Sequence, residues 1–193
     1  MKRLAVYCGS ATPSDPVYIE CARHVGRTLA ERGIGVVYGG GRLGLMGAVA
    51  DSALEAGGEV IGVIPQALVD AEVAHKGLSH LETVGTMHER KARFTELADG
   101  FIVLPGGTGT MDELWEAMSW AQIGYHTDPI GLLNVAGYYD ALLTFVEHMG
   151  KVGFLRPAHQ GLLIVADTLE ALLDKMRAHT PAVPIAQIRR EDL

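Results

Sequence analysis

A chain of 193 residues with 48% hydrophobic side chains can bury a sizeable core, and with no compositional break residues 1–193 are read as one domain. Its net charge of −7 excludes a broad nucleic-acid-binding face and leaves phosphate recognition to a few amides and one or two cations. Cys8 and Cys21 lack metal spacing, and the apolar start Leu4-Ala5-Val6-Tyr7 is broken at once by Gly9-Ser10-Ala11-Thr12-Pro13, so no disulfide framework, export signal or membrane span is expected; the expected location is cytoplasmic.

In chain order, short apolar runs rich in β-branched residues read as buried strands at Leu4 to Cys8, Gly35 to Tyr38, Val60 to Ile64, Gly100 to Leu104, Ile130 to Leu133 and Leu163 to Val165. After the first, Asp15-Pro16 reads as the N-cap and first-turn proline of a helix with its stripe at Tyr18, Ala22, Val25 and Leu29, closing near Gly33. Ser10, leaving that strand, is either a plain turn residue or a substrate contact. The run Gly39 to Gly47 opens a second helix, and Gly39, Gly41 and Gly44 satisfy G-x-G-x-x-G, which makes Gly40 and Gly41 candidate contacts. A dinucleotide site would place this turn after the first strand with an acid about 20 residues on, whereas the next strand ends in Ile64-Pro65-Gln66. A tight turn that seats the helix close to the sheet is the plainer explanation. The segment from Gln66 to His80 reads as a short helix plus loop.

Thr86 to Ala98 has the pattern of a helix with an apolar stripe through Met87, Phe94 and Leu97 or Ala98. Arg90 projects along that stripe with Lys91 beside it, so one of them needs an anionic partner unless their stems snorkel to water. Next, Pro105-Gly106-Gly107-Thr108-Gly109-Thr110 runs into a helix beginning near Met111. Its glycines free backbone amides to turn to one point, Thr110 adds a hydroxyl, and the helix contributes unpaired N–H groups and a positive dipole end. Without a following Gly-Lys-Ser/Thr, this cradle suits a monophosphate better than a triphosphate.

In that helix Leu114, Ala117, Met118 and Ala121 form the apolar face, bordered by Glu113. Asp112 and Glu116 are ordinary acids near a helix start. Glu113, beside a bound anion, needs a compensating positive charge, and the oxocarbenium ion that develops when a ribosyl bond breaks would supply it. It could act electrostatically, by activating water or as a nucleophile, with Arg90 orienting Glu113 or the sugar. Eight histidines without H-E-x-x-H or paired Cys/His spacing predict no catalytic metal, and Lys91 has no evident pyridoxal partner. The tail after Pro181, ending in Arg189-Arg190-Glu191-Asp192, reads as peripheral. Strands alternating with helices and lacking a charged face predict a Rossmann-like, doubly wound α/β fold, its mainly parallel sheet flanked by helices and its ligand crevice beyond the strands' carboxyl ends.

Gly39-Gly40-Gly41-x-x-Gly44-Leu45-Met46-Gly47, Met87-His88-Glu89-Arg90-Lys91 and Pro105-Gly106-Gly107-x-Gly109-Thr110-x-x-Glu113 together resemble the LOG (Lonely Guy) family, from about Val6 to Val165. Tyr7-Cys8-Gly9-Ser10, Trp120-Ala121-Gln122-Ile123-Gly124 and Leu132-Leu133-Asn134-Val135-x-Gly137-Tyr138-Tyr139-Asp140 agree as well. The resemblance implies a cytokinin riboside 5′-monophosphate phosphoribohydrolase that releases free base and ribose 5-phosphate without a cofactor, with AMP as a further substrate. It also implies a homodimer with the site near the subunit interface, which would use apolar surface on Trp115 to Ile123.

The family's catalytic arginine and glutamate fall on Arg90 and Glu113. Lys91 and the run Gly107, Thr108, Gly109, Thr110, Met111, Asp112 and Glu113 match its nucleotide-binding positions, and Glu72 matches an acidic contact. Thr108 stands where the family often has an aromatic residue, and Ser119 keeps a hydroxyl where it often has threonine. Such proteins are often labelled lysine decarboxylases on the glycine motif; the missing pyridoxal machinery argues against that label. The alternative is a non-catalytic nucleotide-binding module similar in fold to molybdenum-cofactor carriers, against which the pairing of Arg90 with Glu113 weighs. The missing ribose acid weighs against a nicotinamide oxidoreductase.

Overall fold

Alternation along the first strand sets the layers. In β1 (Arg3–Tyr7), Leu4 and Val6 enter one apolar cluster and Ala5 and Tyr7 another, so both faces of the strand are buried. In the computed structural model, which describes residues 1–71 and 73–186, six further strands join it: β2 (Gly35–Tyr38), β3 (Val60–Pro65), β4 (His80–Val84), β5 (Phe101–Val103), β6 (Ile130–Leu133) and β7 (Leu163–Ala166). They form one sheet in the order β4-β3-β2-β1-β5-β6-β7, with every neighbouring pair parallel. This is the predicted doubly wound arrangement.

The crossovers carry α1 (Pro16–Glu31), α2 (Gly44–Glu55), α3 (Gln66–Asp70), α4 (Met87–Leu97), α5 (Thr108–Ile123), α6 (Asp140–Lys151) and α7 (Leu169–Arg177). On one face α1, α2 and α7 pack with Leu4 and Val6; on the other, α4 and α5 pack with Ala5 and Tyr7. Helix α1 begins as its sequence requires, with the Asp15 carboxylate accepting from the Val17 N–H at 2.9 Å and Pro16 in the first turn, and it buries Ala22, Val25 and Leu29 completely.

One strand has no counterpart among the apolar runs, and two expectations need correction. β4 carries no apolar run: among the described residues it is an edge strand paired with β3 alone, half-exposed and polar, its Glu82 held by Arg93 of α4. Met87 does not join the buried stripe of α4; it is 45% exposed, because the first turn of that helix projects past the sheet edge into the rim of a cavity. Helix α5 starts at Thr108 rather than near Met111, since Gly107 serves as its N-cap. Glu72 and the basic-acidic end Arg189 to Asp192 lie outside the described residues. No helix among the described residues is long and apolar enough to cross a membrane.

Candidate active site

Strand order reverses between β1 and β5, where the chain leaves neighbouring strands towards opposite faces and opens a crevice at their carboxyl ends. The two loops are tied together there: the Gly9 N–H donates to the Pro105 carbonyl at 3.1 Å. Above them lies a cavity of about 610 Å³, a size suited to a nucleotide-sized ligand. Its lining includes Ser10, Gly39, Gly41, Arg90, Glu113, Asp112 and the run Gly106 to Thr110.

Both glycine loops reach this cavity, but they differ in what their helix ends have left to offer. The α2 end is occupied, because the Leu45 and Met46 N–H groups both donate to the Gly9 carbonyl, at 3.0 and 3.3 Å. Gly44 has φ +58°, and a Cβ there would fall 2.3 Å from the Ala11 carbonyl oxygen, so only glycine lets α2 sit against the loop after β1. Gly40 does not line the cavity: its carbonyl accepts from the His75 N–H at 2.8 Å. By contrast, among the described residues no side chain caps α5, and a Cβ on Gly107 or Gly109 would meet only open space. Thr110 is 3% exposed and packs its hydroxyl against Gly106, closing the base of the loop. The uncapped first-turn amides and dipole of α5 are therefore free to receive an anion.

Helix α4 is started by the Thr86 hydroxyl, which accepts from the Glu89 N–H, while the Glu89 carboxylate accepts from the Gly85 N–H. That fixes Arg90 one turn in. Its guanidinium runs under the ends of β2 and β3, with Nε donating to the Val63 carbonyl at 3.1 Å and Nη2 to the Gly39 carbonyl at 3.3 Å. The Phe94 ring lies 5.4 Å below it, and Nη2 stands 3.9 Å from Glu113 Oε1. Both side chains are 7% exposed, so two opposite charges meet on the cavity floor nearly out of water. Burial pushes the Glu113 carboxyl up to about 7, with Arg90 opposing the shift and Asp112 adding to it.

Lys91 is not in the lining. Its ammonium pairs with Asp112 at 3.2 Å and Glu116 at 2.6 Å, tying α4 to the first turns of α5. Burial works against its charged form, but the bonds to Glu116 and Asp112 outweigh it and keep the ammonium protonated. Met111 packs into the core beneath α5, and Ser119 is exposed further along that helix; neither reaches the cavity. The structure thus gathers Ser10, Gly41, Gly106 to Thr110, Asp112, Arg90 and Glu113, and leaves Gly40, Lys91, Met111 and Ser119 outside. Unanticipated from the sequence are the apolar walls: Leu43, Leu68, Met87 and Tyr138 are all large, part-exposed side chains at the mouth. Only their position around one opening marks them, and no local pattern encodes that. Among the described residues no three potential metal-ligating side chains converge.

A family model described as possible lysine decarboxylase matches residues 46–176. The chain is 44% identical over 180 residues, 93% of its length and 79% of the other's, to the probable cytokinin riboside 5′-monophosphate phosphoribohydrolase LOGL9 of Oryza sativa subsp. japonica. It is 42% identical, with the same coverage of each chain, to the cytokinin riboside 5′-monophosphate phosphoribohydrolase LOG5 of Arabidopsis thaliana. Among solved structures it is similar to the Moco carrier protein from Chlamydomonas reinhardtii, with a TM-score of 0.69 at 20% identity over 91% of this chain and 95% of that one. The molybdenum cofactor binding protein from Rippkaea orientalis gives 0.67 at 19% identity, with the same coverage. At such identities these two likenesses concern the fold alone.

Proposed function

The chain belongs to the cytokinin riboside 5′-monophosphate phosphoribohydrolase (LOG) family, and from that membership and the geometry above we propose that it hydrolyses the N-glycosidic bond of N6-substituted AMP. AMP itself is a further substrate, and the products are free base and ribose 5-phosphate. The observation that carries this reading is the buried Arg90–Glu113 pair, placed along α5 from an open anion seat. Glu113 stands five residue steps beyond Thr108, about 7.5 Å along the helix axis, which lets the 5′-phosphate sit on the amides while the anomeric carbon faces the carboxylate. The exposed apolar side chains Leu43, Leu68 and Met87 at the mouth favour an apolar N6 substituent.

As the C1′–N bond breaks, its electron pair leaves with the base, which takes up a proton, and positive charge builds on the sugar. The Glu113 carboxylate stabilises that charge more than the neutral ground state, and Arg90 holds the carboxylate in place. Water then adds its oxygen to C1′ and releases a proton. Schiff-base decarboxylation suits the site poorly: Lys91 is engaged with two acids outside the cavity, and among the described residues no other lysine lines it. We extend the proposal to a cytosolic homodimer carried by a single catalytic domain, as the family resemblance implies; Phe145, Val152 and Phe154, all exposed around the end of α6, offer apolar surface for such a contact.

The test is incubation of the purified protein with AMP and with N6-isopentenyl-AMP, without added metal or cofactor, following base and ribose 5-phosphate. Release of both, faster from the prenylated substrate, supports the reading; binding without cleavage moves it to a nucleotide carrier or sensor.

A pH profile gives a second check. The required form is the carboxylate, and the raised value near 7 puts its loss within the neutral range. Accordingly kcat/KM for AMP should rise with pH to a plateau with an apparent pKa near 7. A profile that falls across the same range would make Glu113 a general acid instead.

A further inference from the structure

The anion seat is held from behind by two consecutive tyrosines. The turn between β6 and α6 places the Tyr139 hydroxyl on the Leu104 carbonyl at 2.6 Å and the Tyr138 hydroxyl on the Gly106 carbonyl at 2.7 Å. These carbonyls lie two residues apart on the segment that enters the phosphate cradle. Tyr139 is 2% exposed and anchors the core, whereas Tyr138 is 44% exposed and lines the cavity.

The turn is built to hold that pose. Asn134 accepts from the Tyr139 N–H and donates to Asp140, both at 2.8 Å. Between them Ala136 sits at φ 50°, the single non-glycine residue in the left-handed region among the described residues. Such strain persists where the surroundings over-determine the backbone. The Tyr138 ring is further fixed by edge contacts to Tyr139 and to Tyr18, at 4.8 and 5.7 Å between centroids.

The Pro105 carbonyl accepts from the Gly9 N–H and the Gly107 carbonyl from the Met111 N–H; the Gly106 carbonyl between them accepts from Tyr138, and its peptide plane is shared with the Gly107 N–H. Turned to the ligand, that oxygen would repel a phosphate; held by a hydroxyl, it points elsewhere and leaves the Gly107 N–H facing away from the tyrosine. We propose that Tyr138 is a positioning residue of the phosphate seat, its hydroxyl locking the Gly106–Gly107 peptide so that the cradle is preorganised for the 5′-phosphate. This rests on the nucleotide reading above.

The experiment compares Tyr138→Phe with the unaltered full chain, measuring by calorimetry the affinities for ribose 5-phosphate, AMP and adenosine, together with steady-state kinetics on AMP. The expected result is a loss of about 10-fold for ribose 5-phosphate and AMP, the equivalent of one net hydrogen bond, and none for adenosine. KM for AMP should rise by a similar factor while kcat holds within about twofold, because the ring, Arg90 and Glu113 are untouched. Unchanged affinities, or an equal loss for all three ligands, would overturn the clamp. Because ribose 5-phosphate binding is read without turnover, the two proposals fail differently: an unaltered protein that does not bind ribose 5-phosphate removes both, whereas a Tyr138→Phe variant that binds it as tightly as the unaltered protein removes the clamp alone. A Tm lowered by Tyr138→Phe without a change in the adenosine-to-AMP ratio would assign the tyrosine to the fold and overturn the proposal as well.

Discussion

Glu113→Gln is expected to lower kcat for base release from AMP by at least about 10²-fold, the scale of losing one preorganised electrostatic group, and at the same time to make the protein more stable at pH 8. The two effects share a cause. Glu113 is 7% exposed, and burial lifts its carboxyl from an ordinary 4.5 to about 7, even with Arg90 at 3.9 Å. The native state therefore binds more protons than the unfolded chain between those values, and its stability falls as pH rises through them. Above pH 7 the ionised side chain costs roughly 3 kcal/mol relative to its neutral form. Glutamine has the same shape without the charge and should recover part of that, a gain of a few degrees in Tm at pH 8 that vanishes below pH 4.5. Thermal unfolding at pH 4 and pH 8, beside turnover, measures both. Wild-type turnover would take Glu113 out of the chemistry; a Tm lowered at pH 8 would mean that Arg90 stabilises the carboxylate more than burial penalises it.

Where local pattern and tertiary environment agreed, the sequence was readable. Asp15-Pro16 and the stripe Ala22, Val25 and Leu29 define α1 without help from the rest of the chain, and the apolar runs ending at Tyr38, Ile64 and Leu104 need two covered faces, hence a parallel sheet. Arg90 stood out because a cation on a buried stripe requires a reason. β4 did not, since an edge strand that carries His80, Glu82 and Thr83 lacks the apolar signature of its neighbours. The two glycine loops are both rich in glycine and differ in what their helix ends leave free: the Gly9 carbonyl fills the α2 end, whereas no side chain among the described residues caps α5. Lys91 likewise reads as a cation in need of an anionic partner, and only the packing of α5 identifies Asp112 and Glu116 as that partner. Each of these distinctions depends on a contact between distant segments, and spacing within a motif carries no record of it.

Gly39→Ala is expected to abolish most activity by displacing Arg90. A Cβ at that position would fall 1.9 Å from Arg90 Nη2, closer than a non-bonded pair tolerates, and a tight 3.1 Å from Cζ. The guanidinium can give way only towards the cavity it lines, out of its present bonds: the Val63 carbonyl holds Nε, the Phe94 ring closes one face, and Glu113 stands 3.9 Å away. Displacing it breaks the bond to the Gly39 carbonyl and leaves a buried cation short of partners, a loss of about 2–4 kcal/mol in stability. Misplacing the group that orients Glu113 by about 1 Å should also lower kcat by about 10²-fold. Because the other close neighbour is the flexible Met46 Cε at 3.3 Å, the penalty belongs almost entirely to Arg90. In an Arg90→Ala background the same substitution should therefore change stability by no more than about 0.5 kcal/mol, a coupling that chemical denaturation of the four proteins in the cycle measures. Additive penalties would show that Gly39 serves the strand end itself, and that the position of Arg90 is set elsewhere.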